Sequence, residues 1–340
     1  MPAQPLSTGM VQGVFVTPTP TPTPIAPATA SPRAHHSIPA KAVPTLIVPA
    51  VAFANQPLYA EPDTPAAQQV HEWQASRPAD ANRMAKLAAQ PQTKWLGDWN
   101  PDPYAEANAY LSAAEKSHAW PVLTLYNLPG RDCGSYSAGG AANDTAYQAW
   151  IRRVAQAMGQ RPVIIVLEPD AVPELDCFSP SRQPAVLSLL RNAVAVLKQD
   201  RQAYVYLDAG NTTWQSAATM AGRLTQAGLV QADGFALNVS NFIPTAENLR
   251  YGGQLSGLVG GKHFVIDTSR NGRGSNGQWC NPVGRALGQA PSTATGQPLA
   301  DAYLWIKSPG ESDGECGRNE PAAGEWWPDY ALSLAVNAGY

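Results

Sequence analysis

Charge is scarce in this sequence. Asp, Glu, Lys and Arg make up 14% of its 340 residues and leave a formal net charge of −3. With 23 basic against 26 acidic side chains there is no cationic excess, which argues against nucleic acid as a partner. No uninterrupted apolar run is long enough to cross a bilayer, so no membrane partner is expected either. The four cysteines form no C-x-x-C pair and no histidine cluster accompanies them, which speaks against zinc. There is no G-x-S-x-G, no P-loop, and no G-x-G-x-x-G after the first strand-like segments. The five histidines (His35, His36, His71, His118 and His263) lie away from the acid-bearing segments. A serine or cysteine nucleophile activated by histidine therefore fits poorly, and no cofactor is expected.

What is plentiful is aromatic surface, with 10 Trp and 12 Tyr. Many aromatics with few charges favour a neutral ligand over a phosphorylated one. An even number of widely spaced cysteines (Cys133, Cys177, Cys280 and Cys316) is consistent with two disulfides and an exported protein. Three connectivities are possible, and spacing alone does not choose among them.

The first 50 residues hold 11 of the 32 prolines and only two charged residues, Arg33 and Lys41. The tract "TPTPTPTP" (Thr17–Pro24) cannot build a core and reads as polyproline II, a linker or spacer. The segment "KAVPTLIVPAVAFA" (Lys41–Ala54) has the order of a signal peptide ending in an A-x-A site, interrupted by Pro44 and Pro49. The other reading is a linker docking onto the domain. From Asn55 the composition turns globular, giving a 1–54 leader or linker and one 55–340 domain, with two domains as the alternative.

Seven short apolar runs read as strands: "KWLGDW", "VLTLYN", "VIIVLE", "YVYLDA", "FALNVS", "FVIDTS" and "YLWIKS". Helical spacing lies between several of them, over Asn143–Met158 and Pro184–Leu197. Strands apolar throughout, alternating with helices, predict an α/β fold with a parallel sheet buried on both faces. Seven such units predict a closed or nearly closed β/α barrel, with an open doubly wound sheet as the alternative.

Polar residues gather where these strands end: Glu168 and Asp170, Asp208, Asn238 and Asn241, Asp267, then Lys307, Glu311 and Asp313. In a β/α barrel all of these face the carboxyl-terminal mouth, where catalysis is placed. Any one of them alone is explained as the cap of the next helix. Capping does not require acids at the ends of four strands. Clustered carboxylates repel, so at least one should hold a proton near neutral pH. A protonated acid facing an ionised one is the equipment of glycoside hydrolysis. Trp150 reads as core, and Trp279, in the Gly-rich "GRGSNGQWC", as exposed.

With these residues in view, the chain resembles glycoside hydrolase family 6, the inverting cellulases. The resemblance runs from roughly Asn55 to Tyr340 and rests on "YNLPGRDC", "VLEPD", "DAGNTTW", "NVSNF", "IDTSRNGRG" and "WIKSPGESDG", in the family's order. It implies a distorted β/α barrel of seven parallel strands, a β-1,4-glucan substrate, a secreted monomer and no metal. It further implies Asp170 as general acid, with Asp132 and Asp208 holding its pKa up. Asp313 matches the position assigned to the base, with a water chain as the other route. Tyr126 would press on the distorted sugar. Trp95, Trp214, Trp279, Lys307 and Glu311 fall where the family lines its glucosyl subsites, and Asn238 and Asn241 are expected beside them. The implied disulfides are Cys133–Cys177 and Cys280–Cys316.

Many members carry a serine six residues after the "RDC" aspartate, where it helps hold the catalytic water. Here that position is Ala138, with Ser137 beside it, so that role is not carried over. Only "GRGSNGQW" separates "DTSRN" from Cys280, and two residues separate Asp313 from Cys316. Short loops imply an open groove and an endoglucanase. The alternatives are an exo-acting cellobiohydrolase, a glucan-binding barrel without catalysis, and a retaining glycosidase. Retention needs carboxyls about 5–5.5 Å apart, against about 6.5–9.5 Å for inversion. The "TPTP" tract is typical of linkers to cellulose-binding modules, and no such module is in this sequence.

Overall fold

A computed structural model describes residues 51–340. The proline-rich tract and most of Lys41–Ala54 lie outside the described residues. Two helices come first, α1 (Pro65–Trp73) and α2 (Pro78–Ala88). Then follow β1 (Lys94–Gly97), α3 (Pro103–Lys116), β2 (Val122–Tyr126), α4 (Asp144–Met158) and β3 (Val163–Leu167). The chain continues through α5 (Gln183–Leu197), β4 (Ala203–Asp208), α6 (Ala217–Gln226), β5 (Gly234–Leu237) and α7 (Thr245–Leu258). It ends with β6 (His263–Asp267), β7 (Ala300–Leu304) and α8 (Pro328–Asn337). Each of the seven strand-like runs falls on a strand, paired parallel in sequence order β1 to β7, although "YLWIKS" does so only through Tyr303 and Leu304, its remainder being loop.

The residues explain the elements. In β3, Val163–Leu167 is fully buried, as a strand covered on both faces must be. Ile164 and Val166 point inward with Val122, Tyr206, Ala236, Val265 and Leu304. Val163, Ile165 and Leu167 point outward, into the layer under the flanking helices. Helix α4 starts where Asn143 Oδ1 accepts from the Ala146 N–H, and stops at Gly159, whose φ is 63°. Its buried stripe is Tyr147, Trp150, Ile151, Val154 and Met158, so Trp150 is core.

The curl does not close by a strand ladder. β1 and β7 meet through a few bonds at the mouth. Thr93 N–H donates to the Trp305 carbonyl (3.2 Å), and the Thr93 hydroxyl and Trp95 indole N–H both donate to the Ile306 carbonyl (3.0 and 2.7 Å). Helices α1, α2 and α8 pack with Trp305 and Leu287 as a third apolar cluster.

Packing starts before Asn55. Phe53 is fully buried, with ring centroids 5.5 Å from Trp120 and 5.0 Å from Tyr204. It belongs to the barrel's interior cluster, so a cut after Ala54 would remove a core side chain. Among the described residues no helix is long and apolar enough to cross a membrane.

Candidate active site

The strand ends converge on one rim, where a cleft of about 1230 Å³ opens. Tyr126, Asp132, Asp170 and Asp313 line it, as do Trp95, Trp214, Asn241, Trp279, Lys307 and Glu311. Asp208 lies beneath, 1% exposed.

The turn after β3 sets the geometry. Glu168 and Asp170 flank Pro169 with φ of 48° and 71°, left-handed conformations that cost of order 1–3 kcal/mol each. The Glu168 carboxylate compensates by accepting from the N–H groups of Asn127 (3.0 Å) and Leu128 (2.9 Å), pinning the turn to the end of β2. Asp208 Oδ2 accepts from the Asp170 N–H (2.8 Å) and its Oδ1 from the Gly210 N–H (3.2 Å). The reversal therefore presents Asp170 to the cleft while Glu168 stays inside. Asp176, further along, is exposed and pairs with Arg223.

Burial holds the Asp170 carboxyl well above the usual carboxylate range, and the nearby Asp208, Glu174 and Asp132 push it further up. The Tyr126 hydroxyl donates to Asp170 Oδ2 (3.4 Å) and opposes that shift. Asp208 is also raised, by burial, against the pull of the backbone N–H groups it accepts from. Burial raises Asp132 as well, and its Oδ2 accepts from the Ser137 N–H (2.5 Å). Asp132 and Cys133 have φ of 52° and 48°, on a loop tied by Cys133–Cys177 to the segment after Asp170.

On the far wall, Asp313 Oδ2 accepts from the fully buried Arg270 (2.9 Å) and from the Asn281 N–H (3.0 Å). Its Oδ1 lies 4.0 Å from Lys307 Nζ. The Cys280–Cys316 bridge joins the two loops that carry this arrangement. Both pairings are those the family resemblance implies, and no cysteine is free. Glu311, 3.8 Å from Lys307, is raised by burial and pulled back by that lysine.

Asn238 is corrected by the structure. It is fully buried, with Nδ2 donating to the Asp267 carbonyl (2.8 Å) and Oδ1 accepting from the Ile243 N–H (3.0 Å). Its φ of 65° turns the amide into the protein, so it shapes the loop on which Asn241 reaches the cleft. Asp267 is likewise a scaffold acid, fully buried under four backbone N–H donors.

Three residues not singled out in the sequence belong to the site. Trp99, 49% exposed, lines the cleft with the Arg131 guanidinium 5.1 Å from its ring. Its place just after β1 was the available signal. Glu174 and Tyr136 line the cleft too. Tyr136 packs on Gly314 and lies 6.0 Å from Trp279, so the loops after β2 and β6 touch there. Trp326 lines one end, whereas Trp327 stacks on Tyr330. Ala138 faces the cleft, and the Ser137 backbone is committed to Asp132 and Arg131.

Residues 53–338 match the model for Glycosyl hydrolases family 6. The chain belongs to that family. It is 43% identical over 287 residues to endoglucanase 1 of Streptomyces halstedii, covering 81% of this chain and 87% of that one. Against endoglucanase A of Cellulomonas fimi it is 44% identical over 283 residues, which is 82% of this chain but only 61% of that longer protein. Among solved structures it is similar to the endoglucanase Cel6 of Mycobacterium tuberculosis in complex with methyl-cellobiosyl-4-deoxy-4-thio-β-D-cellobioside. That likeness has a TM-score of 0.81 at 46% identity, over 85% of this chain and 99% of the other.

Proposed function

We propose that this family 6 glycoside hydrolase is an endo-β-1,4-glucanase that cuts internal bonds of cellulose with inversion. The observation that carries the reading is the group of mutually repelling carboxyls, Asp170 over Asp208 and beside Asp132, in a cleft lined by Trp95, Trp214 and Trp279. A neutral, hydroxyl-rich polymer suits aromatic platforms with few charges. Asp170, its proton held by burial and by the carboxyls around it, gives that proton to the leaving glycosidic oxygen. Asp208 and Asp132 keep that proton in place. Water attacks from the opposite face and passes its proton to Asp313, or through further water to Asp132. Because Asp313 Oδ2 is taken by Arg270 and Asn281, Oδ1 is the atom left for that task. Tyr126 donates to Asp170 and stands beside the reacting sugar.

In this reading the proline-rich first 50 residues are a leader or linker, the catalytic domain takes in Phe53 and runs to Tyr340, and the protein is secreted and monomeric. The short segments before Cys280 ("GRGSNGQW") and between Asp313 and Cys316 support endo action. The Tyr136–Trp279 contact favours the second reading, a cellobiohydrolase, since it brings the loops after β2 and β6 together beside the cleft. The two differ in how viscosity falls per bond cut on soluble carboxymethyl-cellulose. Endo cleavage predicts a steep viscosity drop at low reducing-end yield, with mixed cello-oligosaccharides early. Mainly cellobiose from the start, with viscosity barely changed, would favour the exo reading.

A further inference from the structure

Glu174 has no task in the reaction as set out above, and its surroundings are unusual for a structural acid. It follows Asp170 by one turn, its N–H donating to the Asp170 carbonyl (2.8 Å). It is half-buried, yet among the described residues no Lys, Arg or His comes within salt-bridge distance. Its closest polar contact is Cys133 Sγ, 3.2 Å from Oε2, a disulfide sulfur with no proton to give. Buried carboxylates are ordinarily paired or hydrogen-bonded.

The groups around Glu174 are mostly more acids. Asp132 faces it from the loop after β2, Asp170 from its own segment, and Asp208 from the end of β4. The two arginines close by are already engaged. Arg131 bonds Asp98 (2.6 Å) and the Tyr126 carbonyl (3.2 Å), and Arg223 bonds Asp176 and the carbonyls of Val172 and Pro173. Between Asp132, Asp170 and Glu174 lies a small pocket of about 10 Å³. That is about the room one water needs, and the carboxyls supply the polar partners that make such a site favourable.

We propose that Glu174 is a positioning residue for the acid step: through the water this pocket accommodates, its carboxyl shares a proton with Asp132 and Asp170, keeping Asp170 protonated as pH rises. The proposal rests on the reading of Asp170 as general acid. The proton moves only among the carboxyls and is conserved over the cycle. What Asp170 gives to the leaving oxygen is matched by what the attacking water loses. Burial, and then Asp132, push Glu174 up to about 7, so near neutrality it holds a proton part of the time and donates to its neighbours. Once ionised, its charge opposes ionisation of Asp170.

Glu174→Gln removes both the charge and the shared proton while keeping the shape. Losing a negative charge lowers the Asp170 pKa, so the alkaline limb of kcat on an unactivated cello-oligosaccharide should move down by about one pH unit. On that limb the rate falls about tenfold, while KM stays within about twofold. With an aryl cellobioside carrying a good leaving group the limb should not move, and Glu174→Asp should largely restore the wild-type profile. An unmoved limb would overturn the proposal. So would an equal loss on both substrates at every pH that Glu174→Asp does not rescue, which marks a structural role. Failure of the acid reading itself shows separately, as an equal loss on both substrates when Asp170 is changed.

Discussion

Asp170→Asn is expected to lower kcat on unactivated cello-oligosaccharides by about 10²–10⁴-fold, with binding nearly intact. That range is what a positioned general acid contributes. The loss should be concentrated in the chemical step, because Asp170 acts on the leaving oxygen rather than on the sugar faces. Asn keeps the backbone N–H that donates to Asp208 Oδ2, so the left-handed turn at Asp170 survives the change. A good leaving group needs little protonation, and aryl cellobiosides should lose far less. Steady-state kinetics on the two substrate types checks this. An equal loss on both would remove Asp170 from the acid role.

Asp267→Ala should produce the largest loss of stability at the mouth, although Asp267 does no chemistry. Its carboxylate accepts from the N–H groups of Ser240 (3.0 Å), Ser269 (2.9 Å), Ile306 (3.3 Å) and Lys307 (3.0 Å). One side chain thus ties the ends of β5, β6 and β7 together. Each buried donor left unpaired costs about 1–3 kcal/mol, partly relieved by water entering the gap, and the sum should reach about 3–5 kcal/mol. For the 290 described residues that corresponds to a fall in Tm of about 5–8 °C. Activity should drop as well, because Lys307 and the Asn241 loop hang from this carboxylate. A Tm within a degree of wild type would show that the loops hold themselves.

The fold was legible because its strands are buried on both faces. Runs such as Val163–Leu167 and Ala203–Asp208 show no polar alternation and are separated by helical stripes. The seam was not legible, because β1 and β7 are joined by Thr93 and Trp95 reaching carbonyls rather than by a ladder. Nor was the role of Phe53, whose neighbours Trp120 and Tyr204 are distant in sequence.

At the site, sequence placed acids at strand ends but could not say which way each points. Glu168 and Asp170 are two residues apart and end on opposite sides of one left-handed turn. Asn238 looked like a lining amide and is turned inward by its backbone. Nothing in the sequence set Glu174 apart, since it meets Asp132 only across the loops tied by Cys133–Cys177. Arg270 stands inside "IDTSRNGRG", and nothing in that string says that its guanidinium meets Asp313, forty-three residues on.

An acid–base pair working through water inverts the sugar without a covalent intermediate. Proton NMR of the first product from a β-1,4-linked cello-oligosaccharide tests it most directly, if spectra are recorded before mutarotation. With inversion the new reducing end appears first as the α anomer. A β anomer formed first would mean a covalent glycosyl-enzyme and retention, and would contradict it.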